Sequence, residues 1–79
     1  MPLFHFHRRD AVPCPDDVTR ELGTLDEALA EANRIARRMI ARAADPVGLR
    51  REAIDVEDER RHVVARVMFA DVLHATARL

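Results

Sequence analysis

Two histidines near the N-terminus have a spacing that could serve metal chemistry. His5 and His7 alternate with phenylalanines in the opening segment "PLFHFHRRD". In an extended strand, residues two apart project from the same face, with side chains roughly 7 Å apart. A zinc site would need one or two further ligands, for which His62 and His74 are available, but no Cys-x-x-Cys or His-Glu-x-x-His motif is present. We therefore interpret the pair as polar residues of a strand face, with a metal site as the alternative.

The single cysteine is the next candidate for chemistry. Cys14 lies in "VPCPDD", between two prolines and next to two aspartates. A nucleophilic thiolate is normally stabilised by a helix N-terminus, a histidine or a cation. Neighbouring aspartates act in the opposite direction and raise the pKa of a thiol. We predict a free loop thiol, and one cysteine excludes an internal disulfide.

Carboxylates occur in two groups, one before the predicted helix and one in the predicted hairpin: Asp16, Asp17 and Glu21, then Asp55, Glu57, Asp58 and Glu59. A general acid needs a carboxyl group in an apolar pocket that raises its pKa. Runs of acids are typical of solvated turns instead. The two glycines, Gly23 and Gly48, are too far apart for a phosphate-binding loop. The sequence therefore predicts no catalytic residue, no enzyme activity and no cofactor.

Four arginines form a basic stripe on the predicted helix. Arg34, Arg38 and Arg42 recur four residues apart, and Arg37 lies beside them. Such a stripe could follow the phosphates of a nucleic acid. Glu31 is one turn away, however, and the acidic hairpin offsets the charge. A solvated, ion-paired helix face is our main interpretation, and a nucleic-acid-associated, antitoxin-like regulator is the alternative.

Composition places this chain among small globular proteins. It has 79 residues, of which 48% are hydrophobic and 34% charged, with a net charge of −1. This length predicts one domain, residues 1–79, with a thin core. No segment has the roughly 18 apolar residues of a membrane span, and the N-terminus does not resemble a signal peptide. All the basic residues are arginine, which we attribute to a GC-rich bacterial genome, and we expect a cytoplasmic protein.

One amphipathic helix is the clearest element. The segment "TLDEALAEANRIARRMIARAADP" has apolar residues at the i, i+3, i+4, i+7 spacing of one helix face. Thr24 and Glu27 form the pattern of a capping box. Pro46 and Gly48 end the helix, which leaves about twenty residues and a length of roughly 30 Å.

Alternating apolar residues predict the strands that this helix must cover. "LFHFHR" alternates around its two phenylalanines, "EAIDVED" and "HVVARVMF" form a hairpin without a turn glycine, and "VTREL" adds a possible short strand. The tail "ADVLHATARL" could form a short final helix. The predicted fold is α+β, with one long helix on a mostly antiparallel three- to four-stranded sheet in the order β-(β)-α-β-β. The alternation places Val63, Ala65, Val67 and Phe69 on the core face.

Three apolar residues fall on the other face of this sheet. Val64 and Met68 lie opposite the core residues of the last strand, and Leu3 does the same on the first strand. A sheet covered on one side only should be polar there. A two-fold dimer would bury these residues and thicken the core. We therefore predict a homodimer or protein-partner interface at Leu3, Val64 and Met68.

Several spaced blocks resemble one known family. "MPLFHFHRRD", "PDDVTREL" leading into "LDEALAEANRIAR", and "IDVEDERRHVVARVMFADVL" occur in this order in short bacterial proteins of domain of unknown function 6894. The family's aromatic first strand, which ends in an aspartate, maps to Phe4, Phe6 and Asp10. Thr19 and Arg60 stand where the family usually has glycines. The resemblance implies fold and bacterial context but no reaction, so we predict a non-enzymatic interaction or regulatory protein.

Overall fold

The computed structural model describes residues 2–8 and 18–77, with side chains through residue 74. The described strands are β1 (Leu3–Arg8), β2 (Val18–Glu21), β3 (Ala53–Glu57) and β4 (Val63–Met68). The described helices are α1 (Leu25–Arg42), a 3₁₀ helix (Pro46–Arg51) and α2 (Phe69–Ala77). The predictions for Asp10, Cys14, Asp16 and Asp17 lie outside the described residues.

The strands form one antiparallel sheet in the order β2-β1-β3-β4. With its helices, this sheet confirms the predicted α+β class, including the possible fourth strand and the final short helix. The strand order was not predicted. α1 has 18 residues and a length of about 27 Å, so it is of moderate length and not the long rod expected from the sequence. None of the described helices combines the length and apolar character needed to cross a bilayer.

The predicted cap at the start of α1 is present, with one difference. The Thr24 hydroxyl accepts a hydrogen bond from the Glu27 backbone N–H at 3.1 Å. The Glu27 carboxylate accepts from the Gly23 N–H at 2.8 Å, one residue before the cap. Both bonds satisfy amides near the helix start, which would otherwise lack partners.

The core lies between the helices and one face of the sheet. α1 contributes a row of alanines, Ala28, Ala32 and Ala36, whose exposed fractions are all 0%. This row packs with sheet residues that include Phe4, Phe6, Ile54, Val56 and Val67, and with Phe69 and Val72 of α2. Since alanine side chains are so short, α1 approaches the sheet closely.

A register shift in the β3–β4 ladder changes the predicted faces of β4. Val56 pairs with Ala65, whereas Glu57 pairs with Val63, so Val64 is the extra residue of a β-bulge. The prediction that Val63 faces the core is wrong: Val63 lies opposite Glu57 and is 50% exposed. Phe69 is buried as predicted, but it begins α2 and is not part of the strand.

The β3–β4 turn is long and irregular, as expected for a hairpin that lacks the glycine preferred in the tightest turns. The Asp58 carboxylate accepts hydrogen bonds from the backbone N–H groups of Arg60 and His62, at 2.8 and 3.0 Å. Arg61 has a φ of 68°, which is the left-handed region that favours glycine. The family's glycine was expected at Arg60. The residue with the left-handed backbone is instead the next one, Arg61.

Candidate functional site

The sheet has an outer face, opposite the face whose residues form the core with α1. Strand register assigns it these residues: Leu3, His5, His7, Thr19, Glu21, Ala53, Asp55, Glu57, Val63, Arg66 and Met68. Exposure is uneven along this face. Ala53 is 0% and Asp55 6% exposed, whereas Leu3 is 36% and Val63 50% exposed. The exposed apolar side chains therefore belong to the end near the β3–β4 turn.

The residues of the predicted partner interface occupy different places. Leu3 is on the outer face, where its N–H donates to the Glu59 carboxylate at 3.0 Å. Met68 is on the same face but half-buried, opposite Ala53 at the other end of β4. Val64 is 41% exposed but sits in the bulge, outside the regular alternation. The sequence missed Val63, because a bulge depends on strand pairing and leaves no local signal.

The two histidines of β1 share the outer face, as their spacing predicted. The His5 Nδ1 atom lies 3.0 Å from the Thr19 hydroxyl on β2. His62 lies in the β3–β4 turn and His74 on α2, so the four histidines are distributed over three different parts of the fold. Within the described part of the chain, no group of three or more histidine, cysteine, aspartate or glutamate side chains is placed to hold a metal ion.

An ion pair lies at the centre of the outer face. The Arg66 guanidinium donates to the Asp55 carboxylate at 2.5 Å, across the β3–β4 pair. This hydrogen bond raises the pKa of Arg66. The Asp55 carboxylate is therefore engaged in an ion pair and is not set in an apolar pocket.

The acidic group of the hairpin is engaged in similar contacts. Glu57 accepts from Arg61 at 3.2 Å. The pKa of Asp58 lies below its ordinary value, chiefly because of the backbone hydrogen bond from His62. A lowered pKa is the opposite of what a general acid at neutral pH requires.

The helix arginines divide between the two flanks of α1. Arg34, Arg38 and Arg42 line one groove of about 550 Å³, whereas Arg37 lies on the other flank near Arg66. Two arginines from strands, Arg8 and Arg20, also line this groove, together with Val18, Ile35, Met39, Ala43 and Leu49. We call it the basic groove. Arg8 and Arg20 were not predicted for this groove, although each shares a strand face with residues of the core: Arg8 with Phe6, and Arg20 with Val18.

Ion pairs hold some of these arginines in place. Glu31 accepts two hydrogen bonds from Arg34, at 2.7 and 2.8 Å, and one from Arg20 at 3.3 Å. The bond from Arg34 lowers the pKa of Glu31. Arg8 pairs with Glu52. Among the described residues, Arg38 and Arg42 have no acidic partner, so the groove keeps a positive charge.

Comparison with known proteins identifies the family. The family model described as "Domain of unknown function (DUF6894)" matches residues 3–70, which is most of the chain. The chain therefore belongs to this family, and the resemblance found in the sequence is confirmed. No curated protein and no solved structure matches the chain.

Proposed function

We propose that this protein is a non-enzymatic interaction or regulatory module of the bacterial cytoplasm that acts as a homodimer through the outer face of its sheet. One observation carries the proposal: Leu3 and Val63 are 36% and 50% exposed on the sheet face opposite the core. Apolar side chains that are exposed on the same face favour association.

The edges of the sheet are less suited to self-association than this face. β4 is an edge strand, and its bulge at Val64 disturbs the row of backbone groups that a second strand would need. The other edge strand, β2, has only four residues. Burial of the outer face would also add apolar area to a core that a chain of this size can build only thinly.

The polar centre of the outer face is compatible with an interface. Asp55 is already paired with Arg66, and His5 with Thr19, so burial would leave these four side chains with partners. Interfaces commonly combine apolar contacts with such satisfied polar groups. The carboxylates of the hairpin also support a non-enzymatic function. Asp55 and Glu57 accept hydrogen bonds from arginines, and Asp58 and Glu59 accept them from backbone amides.

The experiment is a measurement of native mass by light scattering and sedimentation over a range of concentrations. The proposal expects about twice the mass of the 9.0 kDa chain. A mass of one chain at every concentration would overturn it.

A nucleic-acid-associated regulator that uses Arg34, Arg37, Arg38 and Arg42 is the second candidate. Its support is that three of these arginines line one groove, although Arg37 lies apart from them. Salt-dependent gel shifts test this function, since phosphate contacts release counterions. No retardation at low salt would remove it.

A further inference from the structure

The basic groove lies on the flank of α1, away from the outer face of the sheet. We propose that it binds an acidic amphipathic helix of a partner protein. This inference is independent of self-association, because none of the groove residues is assigned to the outer face.

Charge is the first argument for an anionic ligand. Five arginines line the groove, and the described carboxylates beside them are Glu31, which pairs with Arg20 and Arg34, and Glu52, which pairs with Arg8. Arg38 and Arg42 remain without a described carboxylate. Unneutralised arginines at a concave surface attract anions, and the guanidinium geometry suits carboxylates that accept two parallel hydrogen bonds.

The spacing of the arginines indicates what kind of anion fits. Arg34, Arg38 and Arg42 follow one another every four residues on α1, which gives steps of about 6 Å along the helix axis. Carboxylates four residues apart on a second helix have the same repeat. A helix that lies along α1 can therefore present a glutamate or aspartate to each arginine in turn.

The floor of the groove requires apolar groups between the acids. Val18, Ile35, Met39 and Leu49 are half-buried there and are aliphatic or thioether side chains. An amphipathic helix places apolar residues beside its acidic ones and can fill such a floor, as in other helix-in-groove complexes. A small inorganic anion would leave this apolar surface exposed to water.

The same floor disfavours single-stranded nucleic acid. Proteins that bind single strands stack the bases on aromatic side chains. Within the described part of the chain, the phenylalanines Phe4, Phe6 and Phe69 are all buried in the core, and none lines the groove. The basic groove therefore has cations for phosphates but no surface on which bases could stack.

The test uses a synthetic helical peptide of alanine with glutamates four residues apart and leucines between them. Its affinity is measured by fluorescence anisotropy against the wild-type protein and two charge-reversal variants. Arg38→Glu changes the groove, whereas Arg37→Glu makes the same change of net charge on the other flank of the same helix. We expect Arg38→Glu to weaken binding by about tenfold or more, and Arg37→Glu to change it by less than about twofold.

Two further ligands complete the experiment. A peptide with serine in place of leucine tests the apolar floor, and a single-stranded oligonucleotide tests the alternative ligand. We expect weaker binding of the serine peptide and no oligonucleotide binding that depends on Arg38. Equal losses for Arg37→Glu and Arg38→Glu, equal affinity for the serine peptide, or oligonucleotide binding without peptide binding would each overturn the proposal. Since native mass is not the readout, failure here is distinguishable from failure of the homodimer.

Discussion

Val63 of β4 stands directly opposite Glu57 of β3, although the neighbouring pair is Val56 with Ala65. This one-residue shift moves Val63 from the core to the outer face, where half of it is exposed. Side chains alternate strictly in a regular strand, so a single bulged residue changes the face of those beyond it. The outer face thereby gains an apolar side chain near its exposed end.

Charged substitutions on the outer face test the homodimer. We expect Leu3→Asp, and separately Met68→Asp, to reduce the native mass to one chain, because either carboxylate would be buried unpaired in the interface. Leu3 is the stronger test, since it is 36% exposed and contributes little to the core. Light scattering measures the mass, and circular dichroism confirms the fold.

Val47→Asp is the matched control for this series. Val47 is 62% exposed on the 3₁₀ helix, away from the outer face. The dimer should persist in this variant. If the wild type is dimeric and Leu3→Asp leaves its mass unchanged, the predicted interface is wrong.

The alanine row of α1 predicts a strong effect of side-chain size. Ala32 is 0% exposed against the sheet, so Ala32→Leu should lower the free energy of unfolding by roughly 1–3 kcal/mol through overpacking. Ala30→Leu makes the same change at an exposed position of the same helix and should be nearly neutral. Urea denaturation measures both. Similar losses at the two positions would contradict close packing at Ala32.

The left-handed residue of the β3–β4 turn predicts a stabilising substitution. Arg61 has a φ of 68°, a conformation that glycine adopts without steric cost. We expect Arg61→Gly to raise the free energy of unfolding by roughly 0.5–1 kcal/mol, because relief of the left-handed conformation outweighs loss of the exposed ion pair with Glu57. Thermal denaturation measures the change. Arg60→Gly, at a residue without a positive φ, should instead lower stability, and the reverse order of the two variants would refute the assignment.

Glu31 predicts a specific pH dependence of stability. Its pKa is lowered from an ordinary 4.5, mainly by the hydrogen bond from Arg34. A group with a lowered folded-state pKa stabilises the protein above its unfolded-state pKa, and this contribution disappears as the pH falls through the folded-state value. We expect Glu31→Gln to reduce stability at neutral pH and to flatten its decline below about pH 4.5. If the free energy of unfolding falls equally with decreasing pH in the wild type and in Glu31→Gln, the ion pair is contradicted.

Much of the fold was predictable because its signals are local. Alternation marked Phe4 and Phe6 as the core side of β1, and the helix period with Thr24 marked α1. The bulge at Val64 was not predictable, since it exists only in the pairing of β4 with β3. The same applies to the strand order of the sheet.

The basic groove was predictable only in part. The helix period alone placed Arg34, Arg38 and Arg42 on one stripe. Arg8 and Arg20 reach the same groove from β1 and β2, because sheet order puts these strands along one flank of α1. Such long-range neighbours leave a weak trace in sequence: Arg20 shares a strand face with Val18 and lies opposite Phe4.

The short side chains beneath α1 also separate two roles of this helix, namely packing on the sheet and contact with ligands. Ala28, Ala32 and Ala36 form the line that attaches it to the sheet, while larger residues such as Ile35 and Met39 project along one side and Leu29 and Arg37 along the other. Exposed side residues such as Arg37 and Arg38 can therefore be exchanged for residues of different charge while the alanine row stays intact. One helix can thus acquire new ligand preferences without any change in how it packs on the sheet.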